Sequence, residues 1–564
     1  MGLLFRGGVW FGLYCALLLL PLAVALVADP IGVARPLLVE FSVALGFVAF
    51  ALIAVEFTLV SRLRAASEPF GTDALMLFHR QMGLAAAAFV ALHVAALLGP
   101  GAREELGMRL ATHGVGASGA VAVVALVVLV ITSVWRRPLG LRYERWQGLH
   151  VVAAITIVAA TLFHLLGADR YTGTVAVRAV VLLYVALLAV LLLRYRVLRP
   201  LRLRRRPCRV LANRDEGADT RTLVLQPSGW RGFVFEPGQF GWLVTGRGPL
   251  TGGQHPISFS SSAERQPGDP FEMSIKALGD WSGTVVPRIA PGTTVWVDGP
   301  FGALTPDRTP AQGFVLIAGG VGITPMRSIL CTLRDRRDPR QVVLIHAASR
   351  PERMLFSGEI EALRGAVNLE YVRVYEAPPA GWRGESGLVT RELLARHLPA
   401  QYRHCQFFVC GPPPMMDRVE AGLLALGVPP ERIATERFDM IREVGPAMTH
   451  VIVTRVSFAL CVLLLVCAAL FAVLAAPASA PVTAMSSAEA GDPATRAASP
   501  AGAVLFDRYC ARCHEAAAIA AALRGDDRQA GTAAAQMRAF LRQHGTAGDA
   551  EDAAIVAYLR TRVD

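Results

Sequence analysis

The sequence predicts a multi-domain membrane protein. It reads as an α-helical membrane bundle of six helices, a β-barrel domain, a doubly wound α/β domain, a seventh transmembrane helix and a small all-α domain. Three observations lead there. Of 564 residues, 53% are hydrophobic and only 18% charged, against about a quarter charged in ordinary soluble chains. Mean hydropathy is +0.44. That composition excludes a wholly soluble chain and a wholly disordered one. Second, the apolar residues gather into seven runs, near 9–28, 38–60, 76–98, 116–135, 147–167, 176–195 and 451–475, each long enough to span a bilayer. Third, residues 196–450 have ordinary soluble composition. Short β-rich stretches over 207–305 give way to alternating β and α patterns over 313–440.

The charges orient the bundle. Lys plus Arg exceeds Asp plus Glu by 56 to 44, a formal charge of +12. Much of the excess lies beside apolar runs: Arg62, Arg64 and Arg80 after the second, Arg136, Arg137, Arg142 and Arg145 after the fourth, and Arg194 to Arg206 after the sixth. Arg35, the Arg103/Arg109 pair beside Glu104 and Glu105, and Arg170 are all that the other loops carry. By the positive-inside rule the N-terminus and residues 196–447 are cytoplasmic, and the seventh run exports the C-terminus. A basic excess placed this way reads as topology, so no nucleic-acid partner is expected. The Arg194–Arg206 cluster reads as helix-end anchoring, with lipid headgroup contact as its other use. The first run is expected to be a retained helix rather than a signal peptide, because its apolar core is long.

Four histidines stand inside the predicted bundle. His79 and His93 share the third run, and His150 and His164 the fifth. Fourteen residues separate each pair, about 40° short of four full turns, so each pair lies on one helix face about 21 Å apart along the axis. The two helices run parallel. His79 therefore meets His150 at one depth, and His93 meets His164 at another. Two bis-histidine levels suit two stacked b-type haems. A lone membrane histidine usually just hydrogen-bonds a neighbouring helix; four at matched spacing argue for ligation. Zinc is the weaker rival, since two histidines per level are too few for a closed tetrahedral site and neither helix offers a carboxylate there.

On these residues, 1–195 resembles the ferric reductase-like transmembrane domain of NADPH oxidases and ferric-chelate reductases. The resemblance implies that His79 and His150 hold an inner haem and His93 and His164 an outer one. His113, in an outer loop, reads as a solvated histidine.

The soluble stretch carries an ordered series of motifs: Glu236-Pro-Gly-Gln-Phe240, His255-Pro-Ile-Ser-Phe-Ser-Ser261, Lys276-Ala-Leu-Gly-Asp-Trp-Ser282 and Asp298-Gly-Pro-Phe-Gly302. Then come Phe314-Val-Leu-Ile-Ala and Gly319-Gly-Val-Gly-Ile-Thr-Pro325, a strand, glycine turn and helix of the kind that binds a dinucleotide. Phe407-Phe-Val-Cys-Gly-Pro-Pro-Pro-Met415 follows. Each alone reads as a loop; in this order they resemble the ferredoxin–NADP reductase-like module of the same superfamily. The resemblance implies an FAD-binding β-barrel domain over 207–305 and an NAD(P)-binding α/β domain over 313–440. His255, Pro256, Ile257 and Ser258 are then expected along the flavin, with the Ser258 hydroxyl near N5. Lys276, Trp281 and Ser282 are expected toward the FAD pyrophosphate, where backbone amides help cradle the anion. Phe438 is the candidate aromatic over the flavin face. Gly319, Gly320, Gly322, Thr324 and Pro325 are expected on the NAD(P) pyrophosphate, and Cys410, Gly411 and Pro412 against the nicotinamide. Cys410 and Ser258 are the catalytic candidates, although a buried cysteine outside this context would read as a small hydrophobe. Ser349 and Arg350 could hold a 2′-phosphate, which leans toward NADPH over NADH.

Residues 448–475 are the seventh helix, 476–502 an Ala/Pro/Ser-rich flexible linker, and 503–564 a helical domain. Nine cysteines make no disulfide framework, but Cys510-Ala-Arg-Cys-His514 is the c-type haem attachment pattern. Cys510 and Cys513 would bind the haem vinyl groups and His514 the iron. Met537 is favoured over His544 as sixth ligand. This part resembles small class I cytochromes c.

The parts line up as a route from cytoplasmic NAD(P)H through FAD, the inner haem and the outer haem to an exported haem c. The expectation is a bacterial cytoplasmic-membrane flavocytochrome oxidoreductase delivering electrons to ferric iron or a periplasmic redox protein. The alternatives are a superoxide-generating oxidase and an electron-transfer subunit of a periplasmic reductase.

Overall fold

The structure is a computed structural model that describes residues 3–28, 36–61, 72–98, 115–168, 171–250, 253–437 and 448–475, with Phe70 and Ile555 as isolated positions. His113, Phe438 and the c-type set Cys510, Cys513, His514, Met537 and His544 lie outside the described residues.

Among the described residues, seven helices are long and apolar enough to cross a bilayer. Six come first: α1 (Leu3–Ala28), α2 (Leu37–Leu59), α3 (Thr72–Leu97), α4 (Val115–Val134), α5 (Tyr143–Gly167) and α6 (Val175–Leu192). A helix that is apolar all round is buried in protein or faces lipid, and both occur here. α2 is the most enclosed, packed against α1, α3 and α6. α4 keeps an apolar face outward and rests mainly on α5. A short π-helical turn (Leu193–Leu198) and α7 (Arg199–Arg204) lead out of α6 into the first strand.

Strands β1 (Pro207–Gly217), β2 (Thr220–Pro227), β3 (Phe240–Val244), β4 (Gln254–Ser258), β5 (Phe271–Lys276) and β6 (Thr294–Phe301) form one antiparallel sheet, ordered β4-β3-β6-β1-β2-β5. A bridge from Phe259, just past β4, to Met273 of β5 brings the two sheet edges together. Phe235, Phe259 and Phe271 fill the interior.

The second sheet is parallel. It comprises β7 (Gly313–Gly319), β8 (Gln341–Ala348), β9 (Leu369–Tyr375), β10 (Glu385–Ser386), β11 (Gln406–Cys410) and β12 (Ile433–Thr435), ordered β10-β9-β8-β7-β11-β12. Helices α8 (Ile323–Arg336), α9 (Ser357–Leu363), α10 (Arg391–His397) and α11 (Pro413–Ala425) cover it. β7 is buried throughout: Phe314, Leu316 and Ala318 enter one core and Val315 and Ile317 the other. That is why it reads as a continuous apolar run rather than an alternating one. β8 and β11 flank β7, so the chain reverses its direction of travel across the sheet there, the place where such sheets bind ligands.

The seventh long helix, α12 (Met448–Ala475), packs on α2. Gln81 Nε2 donates to Thr454 Oγ1 at 2.8 Å near its start, and Phe471 lies 5.6 Å from the Tyr171 ring near its end. α12 thus runs parallel to α3.

Candidate functional site

The membrane site is built from α3 and α5. His79 faces His150 with ring centroids 6.3 Å apart, and His93 faces His164 at 6.3 Å. Each histidine meets the partner that its helix position dictates. Among the described residues, no group of three or more His, Cys, Asp or Glu side chains is placed to hold a bare metal ion. Each pair can offer one nitrogen from either side to a shared centre.

What orients the rings comes from other helices. His79 Nδ1 donates to the Glu56 carboxylate of α2, which also accepts from Tyr14 Oη at 3.1 Å. His93 Nδ1 donates to the Ser42 carbonyl at 2.7 Å and lies 2.9 Å from Ser42 Oγ. His150 Nδ1 lies 3.2 Å from Ser133 Oγ, which also accepts from Trp146 Nε1 at 3.4 Å. With Nδ1 engaged, Nε2 is the nitrogen left to bind a metal. Steric room is as specific. A Cβ at Gly119 on α4 would lie 2.9 Å from His164 Nδ1 and 3.1 Å from its Cε1. Only glycine lets α4 approach that ring. The carboxylate at the His79–His150 level comes from α2, off the two histidine helices, where no spacing in the sequence points to it.

The soluble site lies where the two sheets meet. Ser258 ends β4 and pairs with Phe240 of β3. The Phe240 ring lies against Gly302, just past the end of β6, and Glu436 reaches that position too: a Cβ at Gly302 would be 2.8 Å from Glu436 Oε1 and 3.1 Å from Phe240 Cδ1. Glu436 is buried, and its charge acts on Cys410 at the end of β11. Burial first, then Glu436, push the Cys410 thiol up, so it stays neutral. It is a small uncharged contact rather than a thiolate nucleophile. Glu436 is not legible in the sequence: a lone acidic residue two positions before Phe438 belongs to no motif or period.

His255 and Trp281 stack on one another, centroids 3.6 Å apart and 11° between planes, and Trp281 Nε1 donates to Thr245 Oγ1 at 2.9 Å. Pro256 and Ile257 lie beside His255 in β4. Ser282 Oγ accepts from the amides of Leu278 at 2.9 Å and Gly279 at 3.0 Å, which ties the turn together. Lys276 ends β5 and reaches toward the glycine turn; its Nζ would lie 3.7 Å from a Cβ at Gly320.

β7 ends at Gly319, a 3₁₀ turn covers Gly320–Gly322, and α8 begins at Ile323 with Thr324 and Pro325 in its first turn. These glycines also answer to packing. A Cβ at Gly322 would lie 2.1 Å from the Cys410 carbonyl, and one at Gly319 would lie 2.5 Å from Met415 Sδ and 2.9 Å from Pro412 Cδ. Gly411 is held between Met415 and Gly319 in the same way. The glycine turn and the Cys410-Gly-Pro turn are thus locked together at the C-terminal ends of adjacent strands. Ser349 and Arg350 follow β8 at the same edge of the sheet and are exposed.

A polar dock sets one domain against the other. Arg327 Nη1 donates to the Ser260 carbonyl at 2.8 Å and Glu272 Oε2 at 2.7 Å, while its Nε meets Glu359 Oε2 at 3.0 Å. Ser328 Oγ donates to the Ser261 carbonyl at 2.7 Å, and Thr332 Oγ1 accepts from the Ala263 amide at 2.9 Å. Burial opposes both charges, yet the ion pairs win: Glu359 first and then Glu272 raise Arg327, and Arg327 first and then Arg214 lower Glu272.

Arg199 of α7 joins bundle to barrel. It pairs with Asp298 at 2.9 Å and lies 5.0 Å over the Phe301 ring. This member of the basic cluster therefore holds the end of β6.

The description "Ferric reductase like transmembrane component" matches residues 45–161, and "Oxidoreductase NAD-binding domain" matches 316–421. NADH-cytochrome b5 reductase 1 of Aspergillus terreus is 30% identical over 212 residues, 34% of this chain and 71% of that one. The reductase component of propane 2-monooxygenase of Rhodococcus jostii is 30% identical over 228 residues, 39% of this chain and 60% of that one. The solved flavohaem-like FAD/NAD-binding domain of a nitric oxide dioxygenase from Vibrio cholerae is 27% identical, covering 41% of this chain and 97% of that one at a TM-score of 0.37. FAD and NAD(P)H are the cofactors of this module. The chain belongs, through this module, to the family of the NADH-cytochrome b5 reductases, carries it on a ferric reductase-like multi-pass membrane domain, and is an NAD(P)H-dependent oxidoreductase.

Proposed function

We propose that this chain moves electrons from cytoplasmic NAD(P)H through FAD, two membrane b haems and a c haem to an acceptor outside a bacterial cytoplasmic membrane, ferric iron or a periplasmic redox protein. The observation that carries the reading is the pair of histidine levels in a bundle joined to a flavin–nucleotide module. The spacing fits haem. Two metal–nitrogen bonds of about 2.0 Å, plus about 1.15 Å from each nitrogen to its ring centre, put two facing imidazoles about 6.3 Å apart. Each pair shows 6.3 Å. His79 and His150 would hold the inner haem and His93 and His164 the outer, and such haems would supply one-electron transfer.

The remaining steps belong to the chain's own residues. The Gly319–Gly322 turn and the N-terminus of α8 receive the nucleotide pyrophosphate. Neutral Cys410 and the Cys410-Gly-Pro turn support the nicotinamide against the flavin without offering a competing nucleophile. Ser258 and Glu436 would provide a hydroxyl and a carboxylate for proton movement at the flavin. The Arg327 dock keeps the two domains in register for hydride transfer, and Arg199 fixes the barrel to the helix that leads from the bundle. FAD is needed because hydride carries two electrons and each haem takes one.

Cys510, Cys513 and His514 would hold the c haem, on the attachment pattern, with Met537 favoured over His544 as the further ligand to its iron. Ser349 and Arg350 are where a 2′-phosphate would be met, whereas the matched b5 reductases are named for NADH. The test is spectroscopic. Full-length protein expressed with haem and cytochrome c maturation should show b- and c-type absorption at two to one, and NADH or NADPH should reduce both anaerobically. Absence of b-type absorption, or a flavin that neither nucleotide bleaches, would overturn the reading.

A further inference from the structure

The two histidines of α3 occupy equivalent positions fourteen residues apart, yet they rest on different acceptors. His79 donates to a carboxylate, Glu56; His93 donates to a neutral carbonyl, that of Ser42, at 2.7 Å. Glu56 is buried, and its other oxygen accepts from Tyr14 Oη at 3.1 Å. A carboxylate is costly to bury between apolar helices; α2 buries a second one, Glu40, which accepts from Tyr171 Oη at 2.7 Å, but the acceptor of His93 Nδ1 is the Ser42 carbonyl.

We infer that Glu56 holds the inner haem at a lower potential than the outer one and so grades the membrane pair for outward flow. The inference rests on the bis-histidine haem reading above. A carboxylate acceptor draws the Nδ1 proton toward itself and makes the imidazole a more basic ligand. Negative charge beside an iron in a low-dielectric setting favours its more positive, oxidised state. A carbonyl acceptor does this less. The exchange balances with one electron lost at the inner site and one gained at the outer. His79 keeps its Nδ1 proton throughout, so no proton need cross the membrane. Tyr14 tempers the effect by sharing the carboxylate's charge. Glu56 is thus a positioning and tuning residue that never meets the flavin or the final acceptor.

The experiment is potentiometric titration of the full-length, haem-loaded protein, followed in the b-type α band. His164→Ala, which removes the outer site, assigns the inner midpoint. Glu56→Gln should raise the inner midpoint toward the outer one and leave the outer unchanged. Tyr14→Phe should move the inner midpoint the other way, because the carboxylate becomes the stronger acceptor. Should Glu56→Gln fail to retain haem, Tyr14→Phe decides alone. An inner midpoint that neither variant moves while both haems stay bound, or that both move in the same direction, overturns the inference and leaves the haem reading standing. A wild-type protein without b-type absorption overturns both.

Discussion

The membrane bundle and the reductase module hold their functional groups by opposite means. In the bundle, a ring is oriented by a few contacts from neighbouring helices: Glu56 on His79, Ser42 on His93, Ser133 on His150, and the space at Gly119 for His164. In the module, the dock made by Arg327, Ser328 and Thr332 spreads several hydrogen bonds over one helix face. Lipid offers no water to rescue a misplaced polar group, so a membrane site stands or falls on single residues. The soluble site shares its load and should lose function by degrees.

The largest expected effect follows from Gly119. Replacing it with Val puts atoms where the His164 ring lies, and b-type haem per flavin should fall to about half, as one of two sites is lost. Full haem content in a pyridine haemochrome assay would break the contrast. Next is Cys410→Ala. It should keep FAD and slow flavin reduction by ~10–100-fold in anaerobic stopped flow, the scale expected when a reacting pair is misplaced by about 1 Å.

Arg327→Met tests the dock. It removes the Ser260, Glu272 and Glu359 bonds together, leaves Glu272 only Arg214 and half-exposed Glu359 to water, and should destabilise the module by roughly 1–3 kcal/mol. Thermal unfolding of the flavin-loaded protein reads this directly. An unchanged midpoint would mean that the dock is not what sets the two domains.

Acid sharpens the same point. His346 is buried in β8 with Tyr371 Oη 3.1 Å from its Nδ1, and burial pushes its pKa down to about 3. The unfolded state takes up its proton first. Stability should therefore decline as pH falls below 6.5 and keep declining toward about 3, at up to about 1.4 kcal/mol per pH unit. Glu272, whose folded pKa lies below its ordinary 4.5, contributes stability above that value and loses it as pH falls further. A melting temperature flat from pH 7 to 5 would contradict this. The smallest effect is expected at exposed Arg350, where Ala should weaken NADPH relative to NADH by a few-fold in KM, leaving kcat with NADH unchanged.

The contrast also explains what the sequence made legible. Helix period and depth bring His79 to His150 and His93 to His164, because fourteen residues return to one face. They say nothing of how a neighbouring helix is rotated, so Glu56, Ser42 and Gly119 stayed hidden inside apolar runs. In the module, the glycine turn and the Cys410-Gly-Pro turn are contiguous strings and could be read directly. No motif singles out Arg327, and Arg199 sits in a cluster that reads as helix-end anchoring. Their partners Glu272, Glu359 and Asp298 are remote in sequence, and only the closed fold joins them. The c-type attachment pattern is as explicit as the glycine turn, but it lies outside the described residues.

The most direct measurement is anaerobic stopped-flow reduction of the full-length, haem-loaded protein, comparing wild type with His93→Ala. In wild type, flavin bleaching should precede b-type reduction, and c-type reduction should follow. In His93→Ala, flavin and the inner b haem should still reduce while the c haem stays oxidised. A c haem reduced at the wild-type rate in that variant would contradict a route through two stacked histidine levels.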